Sequence, residues 1–177
     1  MSIAVGSIAP DIAAEAYMPG IPDPAEISLS DYRGSWVVLF FYPRDFTFVC
    51  PTELVAFAEL AHEFAAEDAA VVAASTDSYW SHRAWFESDP MLGRIAFPII
   101  ADTTHAMSGA FGVLVEDGSA LRGTFVIDPE GVIRASTVVD QSVGRNADET
   151  LRTLQALRTG ELCPAYWRPG APTLKAA

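Results

Sequence analysis

Two continuous apolar runs constrain the fold more than any other feature of this chain. WVVLFFY spans 36–42 and AAVVAAS spans 69–75. Neither alternates polar with apolar residues, so each reads as a strand buried on both faces, as in a parallel or mixed sheet. Between them, Leu54, Phe57, Leu60, Ala61 and Phe64 keep helical spacing. Pro51 suits the first turn of that helix, because the N–H it lacks would be an orphan there. The helix is expected to run to about Asp68.

The rest of the chain is consistent with that start. Residues 1–35 are rich in Pro, Gly and Asp and read as an irregular lead-in, with a short hairpin at EISLSDYRG. STDSYWSHRAWFES begins with cap-type residues and is a predicted helix. Ala96–Ile100 is a third strand, and DTTHAMSGAFG a short helix closed by Gly112. Gly123–Ile127 and Val132–Val138 flank DPEG, a strong turn signal, and form a hairpin. Asn146–Arg158 is a helix ended by Gly160. The proline-containing ELCPAYWRPGAPTLKAA is expected to be extended. This order predicts an α/β fold, a central mixed sheet flanked by helices and finished by an antiparallel pair. It resembles the thioredoxin-like arrangement, with an N-terminal extension and an extended C-terminal tail. The expected division is a domain over 3–160 and a tail over 161–177.

Charge and composition narrow the partners. A formal net charge of −12 argues against nucleic acid or an anionic membrane, both of which need basic patches. The first twenty residues lack a basic n-region and a long apolar core, so no signal peptide is expected. No apolar run approaches the roughly 20 residues of a membrane helix. Two cysteines in 177 residues do not suggest a disulfide scaffold, and a cytoplasmic location is expected. There is no CxxC or HExxH, and the three histidines are scattered, so no metal site is expected. His62, His82 and His105 read as surface or helix-face residues. Trp80, Trp85, Phe86 and Trp167 read as core or interface residues rather than a cofactor box.

The informative cysteine is Cys50, where the first strand gives way to the first helix. A buried inert core thiol is the ordinary reading of a free cysteine. The placement here favours a nucleophile. A thiolate at a helix start faces the positive end of the dipole and unpaired backbone N–H groups. Thr47, three residues earlier, can donate to the sulfur, and Pro43 can shield one side from water. Glu53 suits the first helical turn but repels a thiolate unless a cation neutralises it.

These residues carry a resemblance. PRDFTFVCPTE resembles the active-site stretch of the typical two-cysteine peroxiredoxins, in particular the catalytic subunit of bacterial alkyl hydroperoxide reductase. STDSYWSHRAW, LRGTFVIDPEGVIR, SVGRNADETLRTLQAL and GELCPAYWRPGAPTL are similar to successive family segments. The resemblance implies a thiol-dependent peroxidase that reduces hydrogen peroxide and organic hydroperoxides, serving antioxidant defence. Cys50 would be the peroxidatic cysteine, oxidised to a sulfenic acid. Arg122 would lower its pKa and hold the peroxide oxygens, and Thr47 would align sulfur and peroxide. Glu53 and Arg145 would form an ionic network that orients Arg122. No cofactor is implied, since sulfur does the redox chemistry.

Cys163 in the tail matches the family's resolving cysteine. The resemblance implies an intersubunit disulfide between Cys50 and Cys163 of a homodimer, with a ring of five dimers as a further assembly. The first turn around Cys50 would unwind to form it. A dithiol/disulfide reductase or a thioredoxin-type reductant would reset it. Sensitive eukaryotic members carry a Gly-Gly-Leu-Gly insertion and a C-terminal Tyr-Phe helix. ESDPMLGRIAFP and the TLKAA end lack both, so relative resistance to overoxidation is expected. Two other readings stand beside this one: a thioredoxin-like disulfide oxidoreductase, which usually needs CxxC, and a holdase-type chaperone, which would not need Cys50, Thr47 and Arg122 together.

Overall fold

The computed structural model describes residues 3–175 and holds a seven-stranded mixed sheet. The strands are β1 (Ala14–Tyr17), β2 (Ala25–Ile27), β3 (Trp36–Phe41), β4 (Ala69–Ser75), β5 (Ile99–Ala101), β6 (Arg122–Ile127) and β7 (Ile133–Val139). Their order across the sheet is β2-β1-β5-β4-β3-β6-β7. The two apolar runs form the parallel centre, with Val38 opposite Val71 and Phe40 opposite Ala73. Both faces of β3 are covered, which is why its sequence does not alternate. Side chains that point to opposite faces of the sheet join two apolar clusters. Val38, Phe40 and Tyr42 pack with Leu54, Phe57 and Phe64, whereas Val37, Leu39 and Phe41 pack with Met107, Phe111 and Phe125.

The helices are α1 (Cys50–Glu59), α2 (Ala61–Ala66), α3 (Tyr79–Ser88), α4 (Ala106–Ala110) and α5 (Ala147–Thr159). The single helix expected up to Asp68 is broken at Leu60, where φ and ψ are −97° and 9°. Phe57 and Phe64, on either side of the break, stack with ring centroids 6.0 Å apart, so packing outweighs helical continuity. Asn146 caps α5 by accepting from the Glu149 N–H, and Gly160 ends it at φ 65°.

The lead-in is more ordered than its composition suggests. Its hairpin pairs Ala14 with Ile27, and β1 then adds antiparallel to β5. The stretch expected as a hairpin contributes only β2; Leu29–Tyr32 turns as a 3-10 helix fixed by a capping box between Ser28 and Asp31. The tail also departs from the extended form expected. It closes on itself through a bridge between Leu162 and Leu174, with Trp167 buried and its carbonyl accepting from Arg152 of α5. Burying a large indole outweighs the extended preference of the neighbouring prolines. Residues 176 and 177 of the expected tail lie outside the described residues.

Candidate active site

Cys50 opens α1 directly beyond the C-terminal end of β3, so its sulfur faces the positive end of the helix dipole. Pro51 occupies the first turn, and the Thr52 and Glu53 N–H groups donate to the Val49 carbonyl. The thiol is fully buried at 0 % exposure. It forms the floor of an open cleft of about 260 Å³ lined by Pro43, Arg44, Thr47, Phe48, Arg122 and Gln141, among others. A second cleft of the same volume lies between β7 and α5, but it contains no thiol.

Arg122 begins β6, the strand that runs antiparallel beside β3, and this pairing carries it to the end of β3. Its Nη1 donates to Cys50 Sγ at 3.5 Å and to Glu53 Oε2. Its Nε donates to the Gln141 carbonyl at 2.8 Å, fixing the plane of the guanidinium. Arg145 approaches Glu53 from the loop before α5. Nε and Nη2 reach the two carboxylate oxygens at 2.8 and 2.9 Å, a bidentate fork, and the Arg145 backbone N–H adds a third bond at 2.8 Å. Arg145 Nη1 is held by the carbonyls of Phe41 and Gly123, and the cation sits 4.9 Å from the Phe40 ring centroid.

The side chains of Glu53, Arg122 and Arg145 are 1 %, 3 % and 4 % exposed. Two cations against one carboxylate leave one net positive charge in a buried site, beside the Cys50 sulfur. That accounts for an acid three residues after Cys50: the Glu53 carboxylate is paired with both arginines. Burial lowers the Arg145 pKa, and the hydrogen bonds and charge of Glu53 oppose that shift.

Thr47 lines the cleft, but its hydroxyl donates to the Arg44 carbonyl at 2.9 Å rather than to the sulfur. The local carbonyl, three residues back along the same turn, takes the proton, and the donor to Cys50 is Arg122. Cys163 lies apart from this group. Its thiol faces the end of α5, 3.5 Å from Thr159 Oγ1 and 3.7 Å from the Ala156 carbonyl. Both cysteines are free thiols.

A cleft glutamine was not picked out from the sequence, and one histidine was placed differently. Gln141 lines the cleft, and its amide donates to Ser119 Oγ at 2.7 Å and to the Ala120 carbonyl at 3.1 Å. His82, expected as a surface or helix-face residue, lies on the buried face of α3 and not at the surface. It is fully buried, and its Nδ1 lies 2.8 Å from Asp45 Oδ2. Its spacing held a signal: Tyr79, His82, Trp85 and Phe86 fall on one helical face, and all four are buried. Burial of Trp85, Phe86 and Trp167 fits the core reading, whereas Trp80 is two-thirds exposed.

Comparison with known proteins agrees with this geometry. Residues 5–136 match the AhpC/TSA family. Peroxiredoxin prdx-2 of Caenorhabditis elegans is 49 % identical over 97 % of this chain and 88 % of its own. The reduced 2-Cys peroxiredoxin of Plasmodium vivax superposes with a TM-score of 0.92 at 33 % identity, covering 97 % of this chain and 92 % of that one. AhpC of Mycobacterium bovis gives 0.87 at 37 % identity over 95 % and 99 %. A buried thiol at a helix start, a guanidinium on its sulfur and near full-length likeness converge: the chain belongs to the AhpC/TSA family and is a peroxiredoxin, a thiol-dependent peroxidase.

Proposed function

We propose that Cys50 is the peroxidatic thiol and Cys163 of a second copy the resolving thiol. The observation that carries this reading is the Arg122 guanidinium 3.5 Å from a fully buried Cys50 sulfur at the floor of an open cleft. A hydroperoxide entering past Thr47 and Pro43 meets the thiolate directly. Sulfur attacks the terminal oxygen, the O–O bond breaks, and water or an alcohol leaves, so that Cys50 becomes a sulfenic acid. Arg122 stabilises the thiolate and the charge that builds on the leaving oxygen. Thr47 turns its hydroxyl from the Arg44 carbonyl to the reacting atoms when peroxide binds. Pro43 closes the cleft wall against water, and Glu53 with Arg145 holds Arg122 in place.

The thiol of Cys163 then displaces hydroxide from the sulfenic sulfur, giving a disulfide and water. Cys50 opens a helix and Cys163 follows α5, so both segments loosen before the sulfurs meet. The working unit is a homodimer, extended to a ring of five dimers, in a cytoplasmic setting. The peroxidase domain is 3–160 and the resolving tail 161–177. A dithiol of the thioredoxin type or a dedicated disulfide reductase reduces the bridge. The 90–94 segment is a short 3-10 turn without the glycine insertion of sensitive relatives. It supports relative resistance to overoxidation, and abundant sulfinate on Cys50 at low peroxide contradicts that.

Peroxide consumption with a dithiol reductant tests the assignment. Wild type is active, Cys50→Ser is inactive, and Cys163→Ser is oxidised once without forming a dimer on a non-reducing gel. Activity retained in Cys50→Ser assigns the chemistry to another group. A disulfide oxidoreductase predicts dithiol exchange without peroxide, and a holdase predicts no peroxide consumption but suppression of client aggregation that survives Cys50→Ser.

A further inference from the structure

Arg44 is a cation that the proposed reaction leaves unused. It follows Pro43 just beyond β3 and lines the same cleft of about 260 Å³ that has Cys50 at its floor. Its side chain is 48 % exposed. Only Nη2 is engaged: it donates to the Asp117 carbonyl at 3.2 Å and lies 3.3 Å from Asp117 Oδ2. Nε and Nη1 make no hydrogen bond among the described residues. Asp117 does not depend on this contact. Its carboxyl is held below the ordinary carboxylate range first by the Ser119 hydroxyl and N–H, with Arg44 contributing less.

The cleft wall suits an organic anion. Its lining holds two arginines, Arg44 and Arg122, and no carboxylate. Pro43, Phe48 and Val49 supply an apolar side, with Phe48 95 % exposed. Arg122 is buried and engaged with Cys50, Glu53 and the Gln141 carbonyl, so the cation open to an entering solute is Arg44. The chain as a whole carries a formal charge of −12 and repels anions at long range. Within about 8–10 Å, the screening length at ordinary ionic strength, the nearest charges dominate. A half-exposed ion pair is held weakly, and Nη1 can donate to a second anion without breaking the contact to Asp117.

We infer that Arg44 is a specificity-determining residue: it favours small organic hydroperoxides that carry a carboxylate, and holds that carboxylate at the cleft wall while the peroxide reaches Cys50. The inference rests on the reading of Cys50 as the peroxidatic thiol. The bonds made and broken are the same as for a neutral hydroperoxide. The Cys50 thiolate bonds to the terminal peroxide oxygen, the O–O bond breaks, and the hydroxyl stays on sulfur as the sulfenic acid. The leaving alkoxide takes a proton from water, and a hydroxy acid departs. The carboxylate does not react. Its contact with Arg44 acts in capture and orientation, so the gain appears in the second-order rate constant.

The test compares meta- and para-carboxycumene hydroperoxide with their methyl esters, which keep the ring and the peroxide but lose the charge. The readout is the ratio of second-order rate constants, acid over ester, from which a general loss of activity cancels. Arg44→Gln lowers that ratio by about fivefold, the scale of a partly exposed ion pair. Arg44→Lys keeps the charge and stays within about twofold of wild type. The gap between wild type and Arg44→Gln closes as salt rises to about 1 M, where the screening length falls to about 3 Å. Equal ratios in wild type and Arg44→Gln for both isomers overturn the proposal, as does a gap that salt leaves unmoved or a lysine variant as low as the glutamine one. If Arg44→Gln does not fold, Asp117→Asn decides. Removing the competing anion raises the ratio by about twofold, and an unchanged or lower ratio overturns the proposal. Peptide mass mapping separates the two readings. Oxidation on Cys50 with equal ratios removes only this inference, whereas wild-type oxidation that bypasses Cys50 removes the peroxidatic assignment and this inference with it.

Discussion

Arg122 Nη1 serves Cys50 Sγ and Glu53 Oε2 at once, so a single nitrogen links the proposed nucleophile to the carboxylate that fixes the guanidinium. The arrangement ties reactivity to the integrity of a buried ion cluster rather than to one contact.

Arg122→Lys keeps the charge but loses the planar guanidinium and the bond from Nε to the Gln141 carbonyl. The second-order rate constant for peroxide should fall by about 10²-fold, the scale of a lost preorganised donor. Competition for peroxide against a haem peroxidase measures it. A lysine variant as fast as wild type shows that charge alone suffices.

Glu53→Gln leaves two buried guanidinium groups without their carboxylate. The expected loss of stability is about 3–5 kcal/mol. Urea unfolding at fixed protein concentration under reducing conditions reads it. A loss below about 1 kcal/mol would place the cluster among ordinary surface ion pairs.

Gln141→Ala removes the amide bonds to Ser119 and Ala120 but keeps the backbone carbonyl that holds Arg122. Peroxide reduction should slow by about five- to tenfold, the effect of one or two hydrogen bonds on the position of that carbonyl. Stopped-flow fluorescence of the reduced protein follows the step, and an unaltered rate means Gln141 only lines the cleft.

Tyr42 governs stability in base. Burial, followed by the charge of Asp45, raises its pKa well above the ordinary 10.0. The folded state therefore keeps a proton that the unfolded state loses. The stabilisation is complete below pH 10 and declines as pH climbs from there toward the folded value. Thermal unfolding across pH 9 to 11 should show a steeper decline for wild type than for Tyr42→Phe, and parallel curves contradict the assignment.

The strands and helices of the core were legible because they are patterned locally. An unbroken apolar run can be satisfied only by burial on both faces, so 69–75 is a strand with the bounds its sequence suggests. Cys50 at a helix start, and the Pro43–Thr47–Cys50 spacing, could likewise be read in sequence. Other features depended on contacts across the chain. The N-terminal strands form because β5 offers them an edge, and the break at Leu60 accompanies the stacking of Phe57 on Phe64.

The sequence by itself determined which thiol opens a helix, what that helix is, and which ionisable residues are candidates to surround it. Only the tertiary structure decided how those charges meet. Antiparallel pairing of β6 with β3 brings Arg122 to Cys50 across 72 positions, and the loop before α5 brings Arg145 to Glu53 across 92. Burial makes a histidine with no sequence partner into the tie between the active-site loop and the sheet. Charge pairing and burial are properties of distance in space, and local sequence encodes spacing only along one element.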